Sequence, residues 1–138
     1  MVDLLKLQHG HWLQTTFRWA LSILFVAAGV LHFLLPEFYL QIMPPYLPWP
    51  LALVYLSGAC EVLGGCAIVP VATRRFAGFG LIALLVAVFP ANVQMVIDPE
   101  AVAGWNTPIW ILWLRLPLQG VLIAWVYWAT LYRTPNTP

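Results

Sequence analysis

Five side chains able to carry charge, protons or directional hydrogen bonds stand inside otherwise apolar runs: His32, Glu61, Asn92, Arg115 and Gln119. Glu61 is the sharpest of them. It lies near the middle of residues 51–69, LALVYLSGACEVLGGCAIV, and a helix needs about 20 mostly apolar residues to cross a bilayer core. A carboxylate at that depth costs at least ~2.5 kcal/mol on insertion scales, so it must face a partner or a cavity. Ser57, Glu61 and Gly64 follow an i, i+4, i+7 spacing that places them on one helical face. Arg115 is the natural counter-charge, because a long side chain ending in a planar fork fits a carboxylate; a buried Glu61–Arg115 ion pair is therefore expected. Two chemistries fit the set of five. In one, the ion pair is a structural pin satisfied by His32, Asn92 and Gln119. In the other, the five line a polar pocket in which His32 or Glu61 relays a proton and the rest bind a ligand.

The rest of the chain supplies the elements that must hold these groups. Of its 138 residues, 62% are hydrophobic and 8% charged, against about 25% charged in a soluble domain, so it lacks the polar surface of a water-facing globule. The pattern predicts an all-α membrane protein, an antiparallel four-helix bundle with spans at 17–35, 51–69, 76–97 and 109–132. Residues 1–16 read as an exposed cytoplasmic segment and 133–138 as a cytoplasmic tail. No cleavable signal is expected, since the first apolar run is too long for one and lacks a small-residue exit site. Lys6, Arg18, Arg74, Arg75 and Arg133 gather at the termini and the second connection, whereas Glu37, Asp98 and Glu100 fall in the first and third. The positive-inside rule then puts both termini in the cytoplasm. A net charge of +1 with no basic patch argues against a nucleic-acid partner. Glu61, Arg115, Gln119, His32 and Asn92 all fall in the outer half of such a bundle, by the helical rise of about 1.5 Å per residue.

The first connection, 36–50, carries four prolines after Met43, which exclude a regular helix there; Phe38, Tyr39, Tyr46 and Trp49 suit the headgroup layer of a short interfacial cap. Pro90 is expected to kink the third span. Cys60 and Cys66 are about 9 Å apart along a helix, too far for a disulfide, and read as small buried packing residues. His9 and His11 lack the carboxylate or cysteine cluster of a metal site, so no metal is assigned.

Several stretches together resemble the DoxX family of small four-helix membrane proteins. They are G-V-L-H-F with a following proline (29–33), P-P-Y-L-P (44–48), L-V-Y-L-S-G-x-x-E-x-x-G-G (53–65), T-R-R (73–75), G-L-I-A-L-L-V-A-V-F-P-A-N (80–92) and R-L-P-L-Q (115–119). The likeness runs from about residue 17 to 131, and all five polar candidates fall within its motifs. It implies a bacterial inner-membrane protein. Some DoxX-like members resemble subunits of thiosulfate:quinone oxidoreductase, which implies a quinone-linked accessory subunit that binds a quinone for a partner redox enzyme. The tryptophan-rich fourth span would stack on the ring. The chain has no redox cysteine pair, haem ligand pair or flavin fingerprint, so a partner would supply the electrons. Binding or transport of a small solute or lipid, which would call for a homo-oligomer, and a non-catalytic scaffold are the alternative functions.

Overall fold

A computed structural model describes residues 2–100 and 107–132, with side chains from Trp12 onward. The tail 133–138 with Arg133, the centre of the third connection, and the side chains of Lys6, His9 and His11 lie outside the described residues. The regular structure among the described residues is all helical: α1 (Val2–Leu34), α2 (Pro36–Gln41), α3 (Pro50–Ala67), α4 (Val71–Ile97) and α5 (Ile109–Thr130). Proline punctuates it. Helices α2 and α3 carry proline in their first turn, and Pro70 and Pro108 immediately precede α4 and α5. A ring-fixed φ suits a helix start, where the missing N–H would have no partner.

Four stretches are long and apolar enough to cross a membrane: Trp12–Leu34, Pro50–Ala67, Val71–Ile97 and Ile109–Thr130. Helix α1 packs on α3, α3 on α4, α4 on α5 and α5 back on α1, closing a ring in which α3 and α5 stand diagonally across from each other. Inside it, Leu21, Phe25, Ile68, Leu81, Leu85 and Val126 form the main apolar cluster. Ile42, Met95 and Leu112 form a second beside α2. The outer faces expose Ile23, Leu56, Leu63, Val86, Leu114 and Val121. That much contiguous apolar surface needs lipid to cover it.

Two boundaries differ from the sequence reading. Helix α1 starts at Val2, so the segment expected to be an exposed lead-in is helical; it contains no proline, and its lone Gly10 costs a helix only about 1 kcal/mol. Helix α4 starts at Val71, five residues ahead of the expected 76. Its first turn reaches back over the end of α3. The Thr73 hydroxyl donates to the Ala67 carbonyl (2.7 Å), and Arg74 donates from Nε to Ile68 O (3.2 Å) and from Nη2 to Val69 O (2.8 Å). These carbonyls have no partner within their own helix, so Arg74 serves as its cap. Arg74→Ala should therefore lower stability by about 1–3 kcal/mol. Arg75→Ala, at an exposed position, should stay within about 0.5 kcal/mol. Thermal melts in detergent check the contrast, and equal shifts would remove the capping role.

Pro90 and Pro117 lie inside α4 and α5, each of which continues as one helix through its proline. Trp49, held between Pro48 and Pro50, adopts the left-handed region (φ 49°, ψ 56°) at the entry to α3. For a residue with a Cβ this costs about 1–2 kcal/mol, which marks the entry as a fixed, strained corner.

Candidate functional site

The site begins at a contact between two glycines. A Cβ on Gly29 would lie 2.5 Å from Gly58 O, and a Cβ on Gly58 would lie 2.6 Å from His32 Cβ and 2.9 Å from Gly29 O. The backbones of α1 and α3 therefore touch, as small residues allow in membrane helices. His32 and Glu61 each lie three residues from one of these glycines, and their side chains meet beside the crossing. The His32 Nδ1 to Glu61 Oε2 distance is 3.6 Å, and both side chains are buried. His32 Nδ1 also lies 2.9 Å from Ala28 O. A carbonyl only accepts, so Nδ1 carries the proton. Glu61 Oε2 is buried and has no hydrogen-bond partner among the described residues. Ser57, one turn earlier, donates its hydroxyl to Val54 O at 2.9 Å.

The facing wall comes from α4 and α5. Gln119 Nε2 donates to the carbonyl of Leu85, and Asn92 Nδ2 donates to Gln119 Oε1 at 2.6 Å. One backbone carbonyl thus fixes both amides. It holds the Gln119 nitrogen, which turns the Gln119 oxygen to Asn92, which in turn uses the Asn92 nitrogen. Arg115 is one turn before Gln119 on α5, and its Nη1 donates to Met95 Sδ at 3.3 Å, a weak acceptor.

Helix α2 and the following proline segment close the third side. Tyr39 stacks on His32 with ring centroids 3.7 Å apart and planes 21° apart, and Phe38 meets Tyr39 edge-on. Burial, and after it the Glu61 charge, pushes the Tyr39 phenol above its ordinary pKa, with Arg115 opposing. The phenol stays protonated and can donate. Tyr46 and Trp49 are exposed, so the four aromatics of this connection divide between the cavity and the surface.

Between these walls lies a cavity of about 520 Å³. His32, Glu61, Asn92, Arg115 and Gln119 all line it. The volume is within the range of about 300–1,000 Å³ typical of small-molecule sites. Leu85 of the main apolar cluster and Ile42 of the second line it too.

Three expectations need correction. Among the described residues Glu61 pairs with His32 and not with Arg115. The ring order explains this: α3 touches α1 directly and is diagonal to α5. The cysteines are exposed, not buried, because the buried stripe of α3 runs through Val54, Gly58, Glu61 and Gly65 and leaves positions 60 and 66 to one side. Cys60 lies on the cavity wall. Finally, no tryptophan of α5 lines the cavity; Trp125 and Trp128 pack edge-on against Phe17 of α1. The rings at the cavity belong to Tyr39 and Phe38. Their spacing after Pro36, a helix-start residue, is the one signal in the sequence that pointed there.

Fold and cavity together define a small multi-pass membrane protein with a ligand-sized, largely apolar pocket, carrying a few polar groups, inside its helix ring. A family described as "Domain of unknown function (DUF8561)" matches residues 21–130, and the chain belongs to that family. No curated protein and no solved structure matches the chain.

Proposed function

We propose that this chain is a DoxX-like inner-membrane protein that binds a quinone in its cavity and serves a partner redox enzyme as an accessory subunit. The observation that carries the reading is the cavity itself. One wall bears a carboxylate beside an imidazole, another bears a guanidinium, and leucines fill much of the remainder. Arg115 can donate to a ring oxygen, Tyr39 and Phe38 offer aromatic faces to a planar ring, and Leu84, Leu118 and Leu122 supply apolar contact. A bound quinone would supply two-electron chemistry, with the partner enzyme as the source of both electrons. The chain's own part is to hold the ring and exclude water, and to pass the accompanying protons through Glu61 and His32.

The same reading places both termini in the cytoplasm and runs the helices antiparallel. It is supported by pairings of opposite sense along α1 and α3, where Gly58 faces Gly29 while Gly65 faces Phe25. The basic residues also gather at one end, where Arg18 Nε donates to Ala129 O in the last turn of α5 (2.8 Å) and Arg74 caps α3. The cavity then lies in the outer half of the bundle.

Mass spectrometry of small molecules copurifying with the detergent-solubilised protein tests the function, with Glu61→Gln as control. A quinone enriched in the wild type and depleted about tenfold in the variant is the expected result. A lipid or other solute with that behaviour replaces the reading with a carrier function, and an empty wild-type cavity returns the chain to a scaffold.

A further inference from the structure

The walls of the cavity are not equally closed. None of the lining residues from α1, α2 or the proline segment is exposed. By contrast, Leu56 and Cys60 on α3 and Ala87 and Pro90 on α4 line the cavity and are exposed as well. The one other exposed lining residue, Leu118, belongs to α5. Helices α3 and α4 touch near their connecting turn, where a Cβ on Gly64 would lie 2.5 Å from Leu81 Cδ2. Further from the turn, Leu53, Leu56 and Cys60 line one edge of the cavity and Leu84, Ala87 and Ala91 the other. Both sets keep an i, i+3, i+7 spacing, so each is one continuous stripe along its helix. Neither stripe carries a charge. Both helices are long and apolar enough to cross a membrane, so the outside of this gap faces hydrocarbon.

We infer that the cavity opens sideways into the bilayer between α3 and α4, and that this gap holds the apolar tail of a ligand whose ring occupies the cavity. This rests on the quinone-binding reading above and narrows it: the substrate class is a long-tailed, membrane-dissolved quinone and not a water-soluble ring. A ligand arriving from water would have to pass the cap formed by α2 and the proline segment, whose lining residues are covered. One arriving within the bilayer passes leucine, cysteine and alanine side chains and leaves its tail among them. Lipid tails are as apolar as leucine, so moving the ligand's tail from the bilayer into the gap is close to neutral. The gap therefore works through shape and access. Ala87 has the smallest side chain of the exposed residues at its edges, and a large ring at that position would fill the opening.

The test uses the full chain in phosphatidylcholine nanodiscs and a benzoquinone whose decyl tail ends in a photoreactive diazirine. Mass spectrometry maps the adducts after illumination, and those suppressed by excess unmodified decyl-benzoquinone are counted as specific, which removes labelling of the general lipid-facing surface. Specific adducts should gather on the facing stripes, residues 53–60 and 84–91. In Ala87→Phe, with a wild-type thermal melt as proof of folding, they should fall about tenfold, as overpacking a confined space does. Specific adducts around Leu118, or on Met43 and Leu47 of the cap, overturn the α3–α4 gap and leave quinone binding standing. A folded Ala87→Phe labelled as strongly as the wild type does the same. No specific adduct anywhere overturns the quinone-binding reading and the gap with it, because a ring held in the cavity keeps its tail within reach of the protein. The wild-type map needs no substitution, so a variant that fails to fold does not blunt it.

Discussion

Gly58→Ala is expected to lower the stability of the bundle by about 1–3 kcal/mol, the usual range for overpacking a tight contact. It should also separate the two residues at the centre of the candidate site. The added methyl would stand 2.6 Å from His32 Cβ and 2.9 Å from Gly29 O. Neither neighbour is the movable tip of a long side chain, so the helices must shift. Because His32 and Glu61 flank this contact, one on each helix, the shift acts directly on their 3.6 Å separation. Gly120→Ala is the matched control, since nothing lies within 4 Å of a Cβ there; with a better helix former, its stability should hold or rise slightly. Unfolding titrations in mixed detergent micelles measure both. Gly58→Ala with wild-type stability would mean that α1 and α3 are not locked through their backbones.

Much of this arrangement was legible from residue types alone, because a membrane makes polar groups conspicuous. A glutamate within 18 apolar helical positions and an arginine within 22 announce themselves as needing partners, whatever the fold. Which partner each finds is a property of the ring, and that was not legible. Depth along the helix axis permits Glu61 to meet either His32 or Arg115; adjacency of α3 to α1 decides for histidine. Gly29 and Gly58 were visible as small residues, but only the packing pairs them. The role of Tyr39 was hidden for a different reason. Aromatic residues at a span end belong to the headgroup layer by default, and the six-residue α2, opened by Pro36, turns this one inward onto His32. Likewise Thr73 and Arg74 read as a turn between spans, although a helix started by Pro70 lets their side chains cap the preceding one.

His32→Leu is expected to be the more damaging half of an asymmetric pair. It removes the cation-capable partner and leaves Glu61 in a buried position with an oxygen that already has no hydrogen bond. Stranding one member of a buried pair costs about 3–5 kcal/mol. At 3.6 Å the contact is longer than a hydrogen bond, so the loss should fall at the low end of that range. Glu61→Gln should be milder, because the amide has no charge to strand and His32 keeps its bond to Ala28. Combining the two should restore part of the loss, since no charge then remains on the α1–α3 seam. A double-mutant cycle would register this as an interaction energy of about 1–3 kcal/mol. Additive effects, with coupling under about 0.5 kcal/mol, would show that the two residues merely share a cavity. Leucine at position 32 also removes the ring under Tyr39, so His32→Phe, which keeps a ring for stacking, separates the two losses. It should match leucine if the carboxylate dominates and approach the wild type if stacking does.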